Sequence, residues 1–195
     1  MRALLVFLVA VLTPSVALAH TGHGDASGLV HGFMHPIGGL DHILAMVAVG
    51  VFAFVLGGRA LWLVPLAFVG MMVVGFGLGA TGVELPLVEL GIALSSIVIG
   101  GAAALGRPMP VAGAMALVGA FAVFHGHAHG AEMPASASGI DYALGFVAAT
   151  ALLHAAGIGA AMGGARLAGR FGKGLAQVAG AAFAAGGLGV LAGWI

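Results

Sequence analysis

After residue 34 the chain alternates long apolar runs with short polar breaks. It yields six apolar stretches, approximately at 35–56, 61–80, 86–105, 109–126, 139–163 and 175–194. Most approach the ~20 residues needed to cross a bilayer, the fourth being the shortest. A lone span in hydrocarbon must satisfy its own backbone hydrogen bonds, so each stretch is predicted to be a helix. The predicted fold class is an all-α integral membrane protein, a six-transmembrane-helix bundle over residues 35–195. The beginning of the chain reads differently. Arg2 precedes the apolar run Ala3 to Leu12, Pro14 interrupts it, and Ala17-Leu18-Ala19 supplies a small-residue cleavage site. This is the pattern of a cleavable signal peptide over 1–19. Residues 20–34 then form a short periplasmic segment, with His20 as the mature N-terminus.

Composition narrows the class further. With 62% hydrophobic and only 6% charged residues, and a mean hydropathy of +1.19, the chain lies far from the roughly 25% charged content of soluble domains. Its partner is the lipid bilayer. Thirty-six glycines suit helices that approach closely in lipid, and Gly75/Gly79, Gly159/Gly163 and Gly189/Gly193 have the spacing of helix contacts. Zero net charge gives no electrostatic footprint for nucleic acid. The absence of cysteine excludes disulfides, thiolate metal sites and cysteine nucleophiles together.

The few charges orient the bundle. Arg59, Arg107, Arg166, Arg170 and Lys173 all fall in the first, third and fifth connections. Cytoplasmic loops carry this excess, so the odd connections face inward and both mature termini face outward. An export signal predicts the same side for the N-terminus. The expected location is the bacterial cytoplasmic membrane.

On that topology the polar residues gather on the outer side. The first span carries His35, Asp41 and His42, the third Glu89, and the fifth begins with Asp141 and Tyr142. The fourth finishes in Phe124-His125-Gly-His127-Ala-His129-Gly-Ala-Glu132. A charged residue at bilayer depth costs about 2.5 to 3.5 kcal/mol on insertion scales, which makes each such group a functional candidate. Imidazole with carboxylate is a ligand set for a divalent transition metal. His35 and His42 share a helix face, but two turns place them roughly 10 Å apart on a regular helix. Either the helix is unwound at Pro36, Gly38 and Gly39, or the two imidazoles serve successive stations.

The second cluster leaves a similar choice. On a continuous helix His125, His129 and Glu132 share a face and His127 points away; on an extended segment His125, His127 and His129 align. His20, His23, His31 and His127 are secondary candidates for the metal pathway. Glu89 and Asp141 are others, with helix capping or helix contact as the competing role. His154, deep in the fifth span near Thr150, reads as a hydrogen-bonded packing residue.

These residues carry a resemblance. His35-x5-Asp41-His42 followed by Leu44-Ala45-Met46 and Val49-Gly50 resembles the first-helix signature of the HupE/UreJ family of nickel and cobalt permeases. Phe124-His125-Gly-x-Ala128-His129-Gly-x-Glu132 is similar to that family's second signature. Gly139, Tyr142, Gly145-Phe146, Ala149-Thr150 and His154 resemble its fifth helix, and Glu89 with Ser95 its third. The resemblance implies a permease supplying Ni²⁺ or Co²⁺ for hydrogenase or urease maturation or for cobalamin synthesis, with His35, Asp41, His42, His125 and Glu132 in the transport site. The metal would be cargo, with no permanently bound cofactor. The competing reading is an intramembrane zinc-dependent hydrolase using the same cluster. It lacks both a His-Glu-x-x-His helix and a Gly-x-Ser-x-Gly elbow.

Overall fold

A computed structural model describes residues 28–195. The signal-peptide reading, His20 and His23 lie outside the described residues. The elements are α1 (Gly28–Gly38), α2 (Leu40–Leu56), α3 (Ala60–Ala80), α4 (Val88–Leu105), α5 (Val111–Ala131), α6 (Gly139–Ala168) and α7 (Gly172–Leu191), with a 3-10 turn at Gly169–Phe171. No strand occurs among the described residues. The α3, α4 and α5 helices, and the helical stretch Gly139–Leu191, are each long and apolar enough to cross a membrane. The α1–α2 pair, bent by 83° at its break, supplies a fifth candidate. Within Gly139–Leu191 the chain reverses, because a Cβ on Gly164 would stand 3.1 Å from Leu175. Eleven residues of straight helix would hold these positions about 16 Å apart.

Three elements depart from the sequence expectation. Residues 28–34, expected as part of a loose segment, belong to α1, whose Gly32 lies against the Tyr142 backbone while Gly145 of α6 lies against Leu29 and Phe33. That close contact orders the segment. The helix expected to end at 126 continues to Ala131, and the one expected to end at 163 continues to Ala168.

Helix pairing follows the glycines. Gly126 and Gly130 of α5 meet the backbone of Met72, Phe76 and Ala80 on α3, while Gly75 and Gly79 of α3 meet Val123, His127 and Ala131. The numbers rise together, so α3 and α5 run parallel. Gly50 and Gly157 do the same for α2 and α6. By contrast Gly106 meets Gln177, Gly100 meets Gly180 and Ala184, and Ser96 meets Gly187, so α4 and α7 are antiparallel. Both α1 and α2 advance along α6 in one direction: Gly28 meets Ser138, Gly32 meets Tyr142, and Gly50 meets Gly157. The broken pair therefore continues through the bundle instead of doubling back. The five Lys and Arg side chains among the described residues, Arg59, Arg107, Arg166, Arg170 and Lys173, consequently fall at one end of the bundle, opposite the outer histidine cluster.

These contacts set a direct expectation for stability. Any side chain at Gly126 drives a Cβ into the Met72 carbonyl, whereas Gly70 on the same α3 helix has nothing within 4 Å of a Cβ. Gly126→Val should cost at least about 1–3 kcal/mol through overpacking, seen as a lowered midpoint in a heat-step size-exclusion assay in detergent. Gly70→Ala should leave that midpoint unchanged or raise it.

Candidate metal centre

The break at Gly39 builds the site. Gly39 is extended (φ −99°, ψ 121°) and starts α2 without a side-chain cap; its carbonyl accepts from Ile43 N at 3.0 Å. Because the chain bends there, His35 on α1 and His42 on α2 are drawn together, with ring centroids 6.0 Å apart. His129 of α5 completes a trio whose candidate ligand atoms all lie within 4.8 Å of one another. The centroid of His129 is 4.8 Å from that of His35 and 5.1 Å from that of His42. Of the two arrangements open for His35 and His42, the structure shows the broken helix.

Carboxylates flank the trio. Asp41 Oδ1 accepts from the His42 backbone N–H at 2.8 Å and from His42 Nδ1 at 3.0 Å. A carboxylate on one ring nitrogen fixes the tautomer and raises the basicity of the other, the usual support for a ligating histidine. His42 Nε2 is left buried without a hydrogen-bond partner. Glu132, the C-cap of α5, places Oε2 3.2 Å from His35 Nε2. A cavity of ≈ 400 Å³ opens here, lined by His35, Asp41, His42, Glu89 and Glu132 together with Gly38 and Gly39. Glu89 reaches it from the first turn of α4, whose N-cap is Leu87. Leu87 holds φ 59°, a left-handed conformation costing roughly 1–2 kcal/mol for a residue with a Cβ.

Because α5 is helical through Ala131, His125 and His129 share a face and His127 turns away. His127 Nε2 donates to the Val83 carbonyl at 2.7 Å, tying the α3–α4 loop to α5. His125 is fully buried, with its centroid 4.7 Å from that of His42. Ser95 Oγ donates to the Ile92 carbonyl at 2.6 Å, so it accepts from His125 Nε2 at 2.9 Å and leaves His125 Nδ1 bare. His129 stacks on Phe146 (4.8 Å, 4° between planes), and neither of its nitrogens has a partner. The sequence pattern did not single out Phe146 as a support for His129, or Val83 as the anchor of His127. The Val83 contact goes through a backbone carbonyl and has no residue-type signature.

The remaining candidates lie elsewhere. His31 is exposed on α1, one turn before His35. Asp141 is exposed in the first turn of α6, where its N–H meets the capping Ser138 Oγ at 3.4 Å. His154 corrects the sequence reading. It is buried without a hydrogen-bond partner on either ring nitrogen, because Thr150 donates to the sulfur of Met46 at 3.3 Å instead.

Fold and site together define a multi-pass helical membrane protein with an imidazole–carboxylate cluster at one end of its bundle. The HupE / UreJ protein family model matches residues 8–190. Protein HupE of Rhizobium leguminosarum bv. viciae is 46% identical over 187 residues, covering 95% of each chain. The chain belongs to the HupE/UreJ family. No solved structure matches it.

The hydrogen bonds assign separate tasks to the polar residues. Asp41→Asn should weaken Ni²⁺ binding to the purified protein by about 10- to 100-fold through loss of His42 orientation. His127→Ala, which frees only Val83, should leave affinity unchanged. Titration calorimetry in detergent measures both.

Proposed function

We propose that this protein is a secondary permease carrying Ni²⁺ or Co²⁺ inward across the bacterial cytoplasmic membrane, supplying metalloenzyme or cobalamin maturation. In this reading the chain crosses the membrane six times. The α1–α2 pair forms one broken crossing, and α3 to α7 form the other five. The basic end faces the cytoplasm and the cavity faces outward. The carrying observation is the convergence of His35, His42 and His129 within 4.8 Å beside the carboxylates of Asp41, Glu89 and Glu132.

The geometry supports capture by exchange of water for nitrogen. Imidazole nitrogens bind a first-row divalent metal at about 2.0–2.1 Å, so two ligands of one ion stand at most about 4.2 Å apart. The trio, whose ligand atoms lie within 4.8 Å of one another, is therefore more open than a coordinated set, and side-chain adjustment of about an ångström brings it into joint coordination. Asp41, Glu89 and Glu132 offset the charge of the ion as it sheds water. A site that tightens around its cargo without being locked in place favours entry and allows exit, as conduction requires.

The same geometry speaks against a serine nucleophile. Ser95 and Ser96 direct their hydroxyls to the carbonyls of Ile92 and Ala93, and Ser95 also holds His125. A nucleophile would need a free hydroxyl beside a base.

Liposomes holding a lumenal metal indicator test the proposal. The unsubstituted protein should admit Ni²⁺ or Co²⁺. His42→Ala should reduce the initial rate at least about tenfold at equal protein content. With equal pH on both sides, lowering it from about 7.5 to about 5.5 should slow entry, because a protonated imidazole cannot ligate. An unchanged rate in His42→Ala would refute the assignment.

A further inference from the structure

His154 stands apart from the outer cluster yet in line with it. Along α6 it lies eight residues beyond Phe146, the residue stacked on His129, and so about 12 Å deeper toward the basic end. A file of ring contacts joins the two levels. From His42 it runs to His125 (4.7 Å), from His125 to Phe68 (5.6 Å), and from Phe68 to His154 (5.1 Å). Phe68 is fully buried and is the one ring in this file without a ligand atom.

His154 itself is 1% exposed, and both of its ring nitrogens lack a partner. A wholly buried imidazole without a hydrogen bond gives up the solvation of its ring nitrogens and gains no partner in return. Packing alone would be served better by an apolar side chain. His154 also borders an apolar groove of ≈ 320 Å³ between α3 and α6 that runs past Leu61 and Pro65. These lie in the first turns of α3, nearest the Arg59 end. Pro65 has no N–H, so the Leu61 carbonyl lacks its usual helical donor and remains an oxygen acceptor beside the groove.

We infer that His154 is an inner relay station for the transported divalent cation, separated from the outer cluster by the ring of Phe68. This rests on the transport reading above. The ion passes from His125 to His154 when the Phe68 ring moves aside, and continues from there toward the basic end. An outer and an inner donor with an apolar ring between them keep the ion from resting in one deep well, which serves throughput.

The test uses the full chain in liposomes with Ni²⁺ outside and an indicator inside, together with Ni²⁺ titration of the outer cluster in detergent. His154→Leu fills the same space without a donor. It should keep thermal stability and outer-cluster affinity while lowering the entry rate at least about tenfold. His154→Cys, which retains a metal donor, should keep a larger share of the rate than His154→Leu. His154→Phe replaces the Leu variant if that protein does not accumulate. Unsubstituted rates in His154→Leu or His154→Phe, or equal losses with and without a donor at this position, would overturn the relay. Failure of the transport reading shows separately, as absence of entry through the unsubstituted protein.

Discussion

Backbone-to-backbone contact between helices, made possible by glycine, determines where the imidazoles of the site stand. In lipid, burial of apolar side chains gives little drive for association, and close approach with its dispersion contacts takes over. The end of α5 shows how economically this is arranged. Gly126 and Gly130 occupy one face and lie on the backbone of α3. His125 and His129 occupy a second face toward the site, and His127 a third, toward Val83. A helical period of 3.6 residues separates these alternating glycines and histidines into distinct functions. Substituting a larger residue at either glycine would displace the whole ligand face.

Some of the buried imidazoles have one nitrogen anchored and the other bare. Asp41 takes the Nδ1 proton of His42, and Ser95 takes the Nε2 proton of His125. In each case the remaining nitrogen is bare and buried. An unpaired polar atom in a low-dielectric interior is costly, and its retention calls for an occupant or a mechanism. Apart from His127, the bare nitrogens follow one file through α2, α5 and α6, whereas α7 contributes packing against α4.

Much of this was legible in the residues. The apolar runs marked the helices, the arginines marked one end, and Pro36, Gly38 and Gly39 marked the place where the first apolar run breaks. Fold legibility failed where one feature had two physical meanings. The residues 125–129 fitted a helix or an extended segment equally well; Gly126 and Gly130, weak helix formers in isolation, are contact residues in the bundle and the helix is continuous. Gly32 and Gly145 likewise order a segment that looked like a leader. At the site, His35, His42 and His129 were readable as donors because imidazoles are conspicuous in an apolar chain. Phe68 and Phe146 were not, since an aromatic ring in a membrane helix is ordinary until its neighbours are known. His154 was misjudged because Thr150, one turn away, offered an apparent partner that the packing directs to Met46.

The break at Gly39 has an electrostatic consequence as well as a steric one. An uninterrupted helix carries its partial charges at its distant ends, but a divided one exposes two inner termini, and Gly38 and Gly39 place both at the cavity wall. The carboxyl terminus of α1 presents fractional negative charge, which attracts a cation. The amino terminus of α2 presents the opposite sign, and Asp41, in its first turn, masks it by accepting the His42 amide hydrogen. The peptide backbone thereby becomes part of the attraction felt by an arriving ion, and that part does not disappear when the histidines take up protons.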